Sequence, residues 1–345
     1  MAHEIKIGLA GYGLAGSVFH APLIGAVPRL RLAAVASGRH EQIARDLPGV
    51  AAVAGIGDLL SDPAIDLVVV ASPTALHFDH AKAVLLAGKH VVVDKPLAVT
   101  SQQADELIAT ATAQQRVLTV FQNRRWDGDF LTVRRCIDEG SLGEVNYYEA
   151  HFDRFRPQIK EGWRELPQPG SGILYDLGAH LIDQALHLFD MPRAVTADIL
   201  AQRDAARVED YFHIVLDYGQ RRVVLHAATL VAAPGPRFLI HGSAGSFVKY
   251  GMDGQEDALK RGQRPCDENW GRDELEFDGE LTPAGGVPRT IETERGAYQR
   301  FYEKLAECLL DSAAPPVDAR NARDGLLIIE AARRSATARR TAELA

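Results

Sequence analysis

Short apolar runs punctuate the first 121 residues, at 5–10, 30–36, 51–54, 66–71, 90–94 and 117–121. Most are continuous rather than alternating, the pattern of strands buried on both faces inside a parallel sheet. Between them the pattern reads as helix. A short helix starts at Asp58, one is expected over 74–88 and another over 101–114, with Ser101 as its N-cap and Asp105 and Glu106 just inside. Strands alternating with helices predict a doubly wound α/β sheet. Beyond Phe121 the rhythm changes. Residues 145–156, 194–202, 210–218, 222–229, 238–241 and 246–250 alternate with period two, which predicts a mainly antiparallel sheet with one face open or covered by a partner. Helices are expected at 127–139, 298–310 and 319–339. Residues 251–290, rich in Gly, Pro and charge, are expected to be loop.

A chain of 345 residues exceeds one ordinary core. The patterns divide it into 1–122 and 123–345, with the helix 319–339 expected to pack back on the first domain. The net charge of −8 argues against nucleic-acid binding, which needs a basic surface. No apolar run approaches the roughly 20 residues that span a bilayer, and the N-terminus reads directly into a strand without a signal peptide. Three scattered cysteines, Cys136, Cys266 and Cys308, form neither a disulfide framework nor a zinc spacing, so a reducing cytoplasm is expected.

The first strand runs into Gly11-Tyr12-Gly13-Leu14-Ala15-Gly16, a G-x-G-x-x-G between strand and helix. The first glycine permits the turn, the second lets backbone approach a pyrophosphate and the third lets helix pack on strand. This makes the first domain a dinucleotide-binding Rossmann domain. The second strand ends in Ser37-Gly38-Arg39, with no acid to hold a ribose 2′-hydroxyl. Ser37 and Arg39 favour NADP, with NAD as the alternative. The fourth strand ends in Ser72-Pro73-Thr74, and Thr74 and His77 are expected near the nicotinamide ribose. The valine strand ends in Asp94-Lys95-Pro96, which puts an amine at the ligand-binding edge of the sheet.

Two further stretches carry polar chemistry. Asn123-Arg124-Arg125-Trp126 either holds a sugar or polyol, or makes inter-domain ion pairs around a core tryptophan. Asp176, His180, Asp183 and His187 share one face of a mostly apolar helix that opens after Gly172. Three readings of that face stand: a metal site, a hydrogen-bond network, or a proton-transfer pair of His180 with Asp176.

These stretches together resemble the glucose–fructose oxidoreductase/inositol 2-dehydrogenase (Gfo/Idh/MocA) family along the whole chain. The matches are Lys95-Pro96, where the family has a glutamate-lysine-proline motif, and Asp176 with His180 in its D-x-x-x-H helix. Asp94 replaces the usual glutamate. Within the family the likeness is to NADP-dependent scyllo-inositol 2-dehydrogenases, through 19–24, 123–127, 175–178 and 254–259. The resemblance implies a Rossmann domain followed by an α+β domain with an open-faced sheet. It also implies hydride transfer between a secondary hydroxyl of a cyclic polyol or sugar and the nicotinamide. Lys95 would hydrogen-bond the reacting oxygen, His180 take the hydroxyl proton and Asp176 orient it, with Asp94 beside the cofactor. Asn123, Arg124, Trp126, Arg154 and Trp163 are candidate substrate contacts, alongside Asp176 and His180. No metal is expected, and the open sheet suggests a homodimer or homotetramer. An aldose 1-dehydrogenase and a non-catalytic NADP sensor are the alternatives.

Overall fold

The structure, a computed structural model, describes residues 4–344. One unit comprises the chain up to Asn123 with Gln255–Trp270 and Ala297–Arg323. The other comprises Arg124–Gly254, Gly271–Gly296 and the chain from Asp324.

The first unit is built on six parallel strands: β1 (Ile5–Ala10), β2 (Leu30–Ala36), β3 (Ala51–Val53), β4 (Leu67–Val70), β5 (His90–Asp94) and β6 (Leu118–Phe121). Their order is β3-β2-β1-β4-β5-β6. Leu67, Val68, Val69, Val70 and Val91, Val92, Val93 are inaccessible to solvent, which is why these runs do not alternate. Each such side chain contributes about 1.5–3 kcal/mol of burial. The strand order reverses between β1 and β4, the point where this architecture receives ligands.

The early helices are α1 (Ala21–Gly25, led by a π-turn Ala15–His20), α2 (His40–Asp46), α3 (Ile56–Ser61), α4 (His77–Leu86, after a 3-10 turn Thr74–Leu76) and α5 (Ser101–Ala113). The cap of α5 is Thr100, one residue before the expected Ser101. Its hydroxyl accepts from the backbone N–H of Gln103 at 3.2 Å, and Gln103 Oε1 accepts from the N–H of Thr100 and Val99. This reciprocal arrangement requires Gln three places after the cap, a spacing that Thr100 has and Ser101 lacks.

In the second unit come α6 (Gly128–Asp138), β7 (Val145–His151), α7 (Ala179–Phe189), β8 (Ala194–Leu200), β9 (Tyr211–Asp217), β10 (Arg222–Ala228), β11 (Phe238–Gly242) and β12 (Gly245–Lys249). The sheet order is β14-β13-β12-β11-β7-β10-β9-β8-β15, with β13 (Gly279–Pro283), β14 (Arg289–Ile291) and β15 (Ala342–Glu343) completing it. All pairs are antiparallel except β7 with β10. On β9, Phe212, Ile214 and Leu216 are inaccessible, while Tyr211, His213 and Val215 lie half-buried on the opposite face. The inner face packs against the helix that begins at Leu174: a side chain on Gly178 would meet Leu174 at 2.8 Å and Phe212 at 3.4 Å.

The stretch 251–290 is loop only in part: it also holds α8 (Gln255–Lys260), all of β13, most of β14 and a 3-10 turn. In β13 only Gly279 and Leu281 are buried, too few apolar positions to set a period. The strand expected over 145–156 stops at His151, leaving only an isolated bridge from Phe155 to Leu230. Two late helices follow, α9 (Gln299–Asp311) and α10 (Ala319–Ala338). In the first unit, α9 brings Phe301 and Tyr302 against Phe121, at centroid distances of 5.0 and 5.9 Å. Thr119 donates to the Val317 carbonyl at 2.7 Å. Among the described residues no helix is long and apolar enough to cross a membrane.

Candidate active site

The first unit gathers the expected cofactor residues at the carboxyl edge of its sheet. Gly11 has φ +109°, and a Cβ there would lie 2.5 Å from the Ala71 carbonyl oxygen. A Cβ on Gly16 would strike the Gly11 carbonyl at 2.1 Å, whereas one on Gly13 would meet nothing within 4 Å. The outer glycines are therefore required by the protein's own packing, and the middle one leaves open space where a phosphate can reach the backbone. Leu14 and Ala15 lead into the π-turn. At the end of β2 the Arg39 side chain is exposed; its backbone N–H donates to Ser37 Oγ at 3.3 Å and its guanidinium reaches Gln42 Oε1 at 3.5 Å. This loop, with an exposed cation and no acid at the strand end, fits a nicotinamide dinucleotide with a phosphorylated ribose.

The loops after β4 and β5 are tied together. His77 is buried, with Nδ1 2.7 Å from the Pro96 carbonyl and Nε2 2.9 Å from the Ser72 carbonyl. Burial pulls its pKa below the usual histidine range, and the Asp94 charge opposes this. Thr74 is buried beside it and Pro73 is exposed. The Lys95–Pro96 peptide is cis. The Lys95 N–H donates to Asp94 Oδ1 at 2.8 Å, a contact that suits the short aspartate. Two residues outside the expected set complete this region. His20 is wholly buried, shares a 2.6 Å hydrogen bond with the Tyr302 hydroxyl, and has its pKa pulled down to about 4 by burial. Asp94 acts electrostatically on both His20 and Tyr302. His20 stands in one of the stretches that carried the resemblance, but nothing local assigned it a role, because Tyr302 lies 282 positions away.

In the second unit the helix that follows Gly172 opens with a π-turn, Leu174–Gly178. Its polar residues have different surroundings. Asp183 takes a bidentate, buried ion pair from Arg125, at 2.8 and 2.7 Å. His180 is buried and Asp176 partly exposed. Asp176 accepts from Arg164 Nε at 3.2 Å, and the Arg164 guanidinium lies 4.5 Å over the Trp163 ring. Arg164 was not expected here, and only its place next to Trp163 hinted at it. Arg124 is buried against Asp127 (3.2 Å) and over Phe152 (5.0 Å), and its carbonyl accepts from Gln184. Trp126 is 8 % exposed. Arg124 and Arg125 each make an ion pair within this unit. Arg154 is held by backbone bonds to Ala228 and Val231. Asn123 ends the first unit, buried.

A six-stranded parallel sheet with this glycine loop at its switch point defines an enzyme that uses a nicotinamide dinucleotide to oxidise or reduce its substrate. Residues 5–122 match the family model described as "Oxidoreductase family, NAD-binding Rossmann fold", and 134–344 match that of its C-terminal alpha/beta domain. The chain belongs to the Gfo/Idh/MocA oxidoreductase family. It is 45 % identical over 340 residues to the scyllo-inositol 2-dehydrogenase (NADP(+)) IolW of Bacillus subtilis, covering 98 % of this chain and 95 % of that one. It is 48 % identical over 348 residues to the uncharacterized oxidoreductase YdgJ of Escherichia coli, along the full length of both. Among solved structures, the yvaA protein of Bacillus subtilis superposes with a TM-score of 0.97 at 44 % identity, covering 100 % of this chain and 99 % of that one. An oxidoreductase from Bacillus cereus gives 0.91 at 32 %, covering 99 % of each.

Proposed function

We propose that the protein is an NADP-dependent dehydrogenase acting on a secondary hydroxyl of a cyclic polyol, with scyllo-inositol or a close relative as substrate. The observation that carries this reading is Lys95 at the same sheet edge as the glycine loop and Arg39, in a chain 45 % identical to an NADP-dependent inositol dehydrogenase. The bound nicotinamide supplies hydride acceptance and donation. The protein's own groups manage the proton. Lys95 hydrogen-bonds the reacting oxygen and stabilises its alkoxide character. His180 takes the hydroxyl proton, and Asp176, itself held by Arg164, orients it. Gly11, Gly13 and Gly16 seat the pyrophosphate, Ser37 and Arg39 the 2′-phosphate, and Ser72 to Thr74 with Asp94 the nicotinamide end. Asn123, Arg124, Trp126, Arg154 and Trp163 contact the polyol ring. The half-buried face of the nine-stranded sheet pairs with another copy, giving a homodimer or homotetramer. Free Cys136, Cys266 and Cys308 suit a reducing cytoplasm.

The test is a panel of inositols and aldoses assayed by nicotinamide absorbance, with NADP and NAD in parallel. Turnover of an inositol with NADP supports the assignment. Lactone formation from aldoses alone would replace it with an aldose 1-dehydrogenase, and tight NADP binding without turnover would make the protein a sensor.

A further inference from the structure

A second constellation lies in the nine-stranded sheet unit, among residues the polyol reaction does not use. His226 on β10 stands directly across from His151 on β7 and from His213 on β9. Asp153, two residues beyond the end of β7, is set between two of these rings. One carboxylate oxygen is 2.9 Å from His151 Nδ1 and the other 2.8 Å from His226 Nδ1. One ligand atom from each of the three residues lies within 4.8 Å of the others.

We propose that His151, Asp153 and His226 form a binding site for a divalent transition metal of the Zn2+ class, through the two Nδ1 atoms and the Asp153 carboxylate. Two imidazoles and one carboxylate are a donor set that suits Zn2+, and three protein ligands leave a fourth position for water or another donor. The orientation of His151 supports the assignment. Its other nitrogen, Nε2, lies 2.7 Å from Glu149 Oε1, and Glu149 is itself gripped by the Tyr147 hydroxyl. A metal-binding histidine characteristically gives its second N–H to a carboxylate, which fixes the tautomer and turns the first nitrogen toward the ion. Here that nitrogen faces Asp153 and His226.

The same contacts also describe a metal-free alternative, in which His151 bridges Glu149 and Asp153 by hydrogen bonds. The two states exclude each other at Nδ1, because a ligating nitrogen cannot also donate to Asp153. The neighbouring groups are His213, whose ring centre is 5.9 Å from that of His226, Tyr211 at 5.3 Å, and Asp198 across from His213. These supply no ligand to the set.

The test uses the full-length protein, stripped with chelator and titrated near neutral pH with Zn2+ by calorimetry and with Co2+ by visible absorption. The expected result is one ion per chain and visible bands of low-coordinate Co2+. His226→Gln and Asp153→Asn should weaken binding on the order of a hundredfold, Glu149→Gln by roughly 10–100-fold through its hold on His151, and His213→Gln should leave it unchanged. Circular dichroism of the metal-free variants checks folding. If a ligand variant fails to fold, the wild-type stoichiometry decides. Wild-type protein that takes up less than one Zn2+ per chain, or no more than His226→Gln, would overturn the site and leave a hydrogen-bond network. None of these measurements reads turnover, so their failure leaves the dehydrogenase assignment standing.

Discussion

His77 and Pro96 are joined by a 2.7 Å contact from ring Nδ1 to backbone carbonyl, while the same ring reaches the Ser72 carbonyl through Nε2. One buried side chain thus fastens the loop after β4 to the loop that carries Lys95. His77→Ala should lower kcat about 10- to 100-fold, the scale on which a misplaced group costs rate. NADP affinity, measured by fluorescence titration, should change much less. Equal losses in both would mean that His77 serves cofactor binding directly.

Lys95→Ala removes the amine proposed to stabilise the reacting oxygen. Loss of one such donor costs on the order of 10²–10³ in kcat. Cofactor binding should be largely kept. Undiminished turnover of the best polyol would sink the assignment of Lys95.

On the proposed reading cofactor choice rests on Arg39, whose exposed guanidinium reaches Gln42 at 3.5 Å. A charge-assisted hydrogen bond is worth roughly 1.5–3 kcal/mol, so Arg39→Ala should weaken NADP by about 10- to 150-fold and leave NAD nearly unchanged. Parallel KM measurements with the two cofactors separate this from general damage to the loop.

His20 makes the fold acid-sensitive. Burial pulls the pKa of the ring down to about 4 from the ordinary histidine value of 6.5. The unfolded chain therefore binds that proton first. Stability from the neutral ring is complete above pH 6.5 and is lost progressively as the pH falls toward 4. His77, shifted in the same direction by burial, adds to the slope. Between pH 7 and 5 the His20 contribution is about 2 kcal/mol. Urea midpoints for His20→Asn should fall less over that interval than those of the wild type, and parallel slopes would contradict the assignment.

Asp183 belongs to the packing of the second unit. Breaking a buried ion pair from one side costs about 3–5 kcal/mol, so Asp183→Ala should lower the urea midpoint sharply. The double change Arg125→Met with Asp183→Leu should recover most of it. A stable but inactive Asp183→Ala would instead put this carboxylate in the proton-transfer chain.

Legibility in the sequence followed the range of the interaction. The strands of the first sheet were readable because Leu67 to Val70 and Val91 to Val93 are buried on both faces, a signal carried by each run alone. The glycine loop was readable because Gly11 and Gly16 answer to backbone within arm's reach. The helix polar face was only half readable: helical spacing aligned Asp176, His180, Asp183 and His187, but it could not say that Arg125, 58 positions earlier, would claim Asp183. Arg164 and Tyr302 were hidden for the same reason. The strands inside 251–290 were hidden for another, since a strand that buries one leucine leaves no period to detect.

The chain passes between its two units five times, after residues 123, 254, 270, 296 and 323. On a ribosome this has a temporal meaning. Strand β6 is made before Phe301, Tyr302 and the Val317 carbonyl that complete its surroundings, the last of them 198 residues on from Thr119. A nascent chain released at residue 122 would expose the aromatic face of Phe121 to whatever is nearby. The nucleotide-binding half must wait for α9 before its core can close.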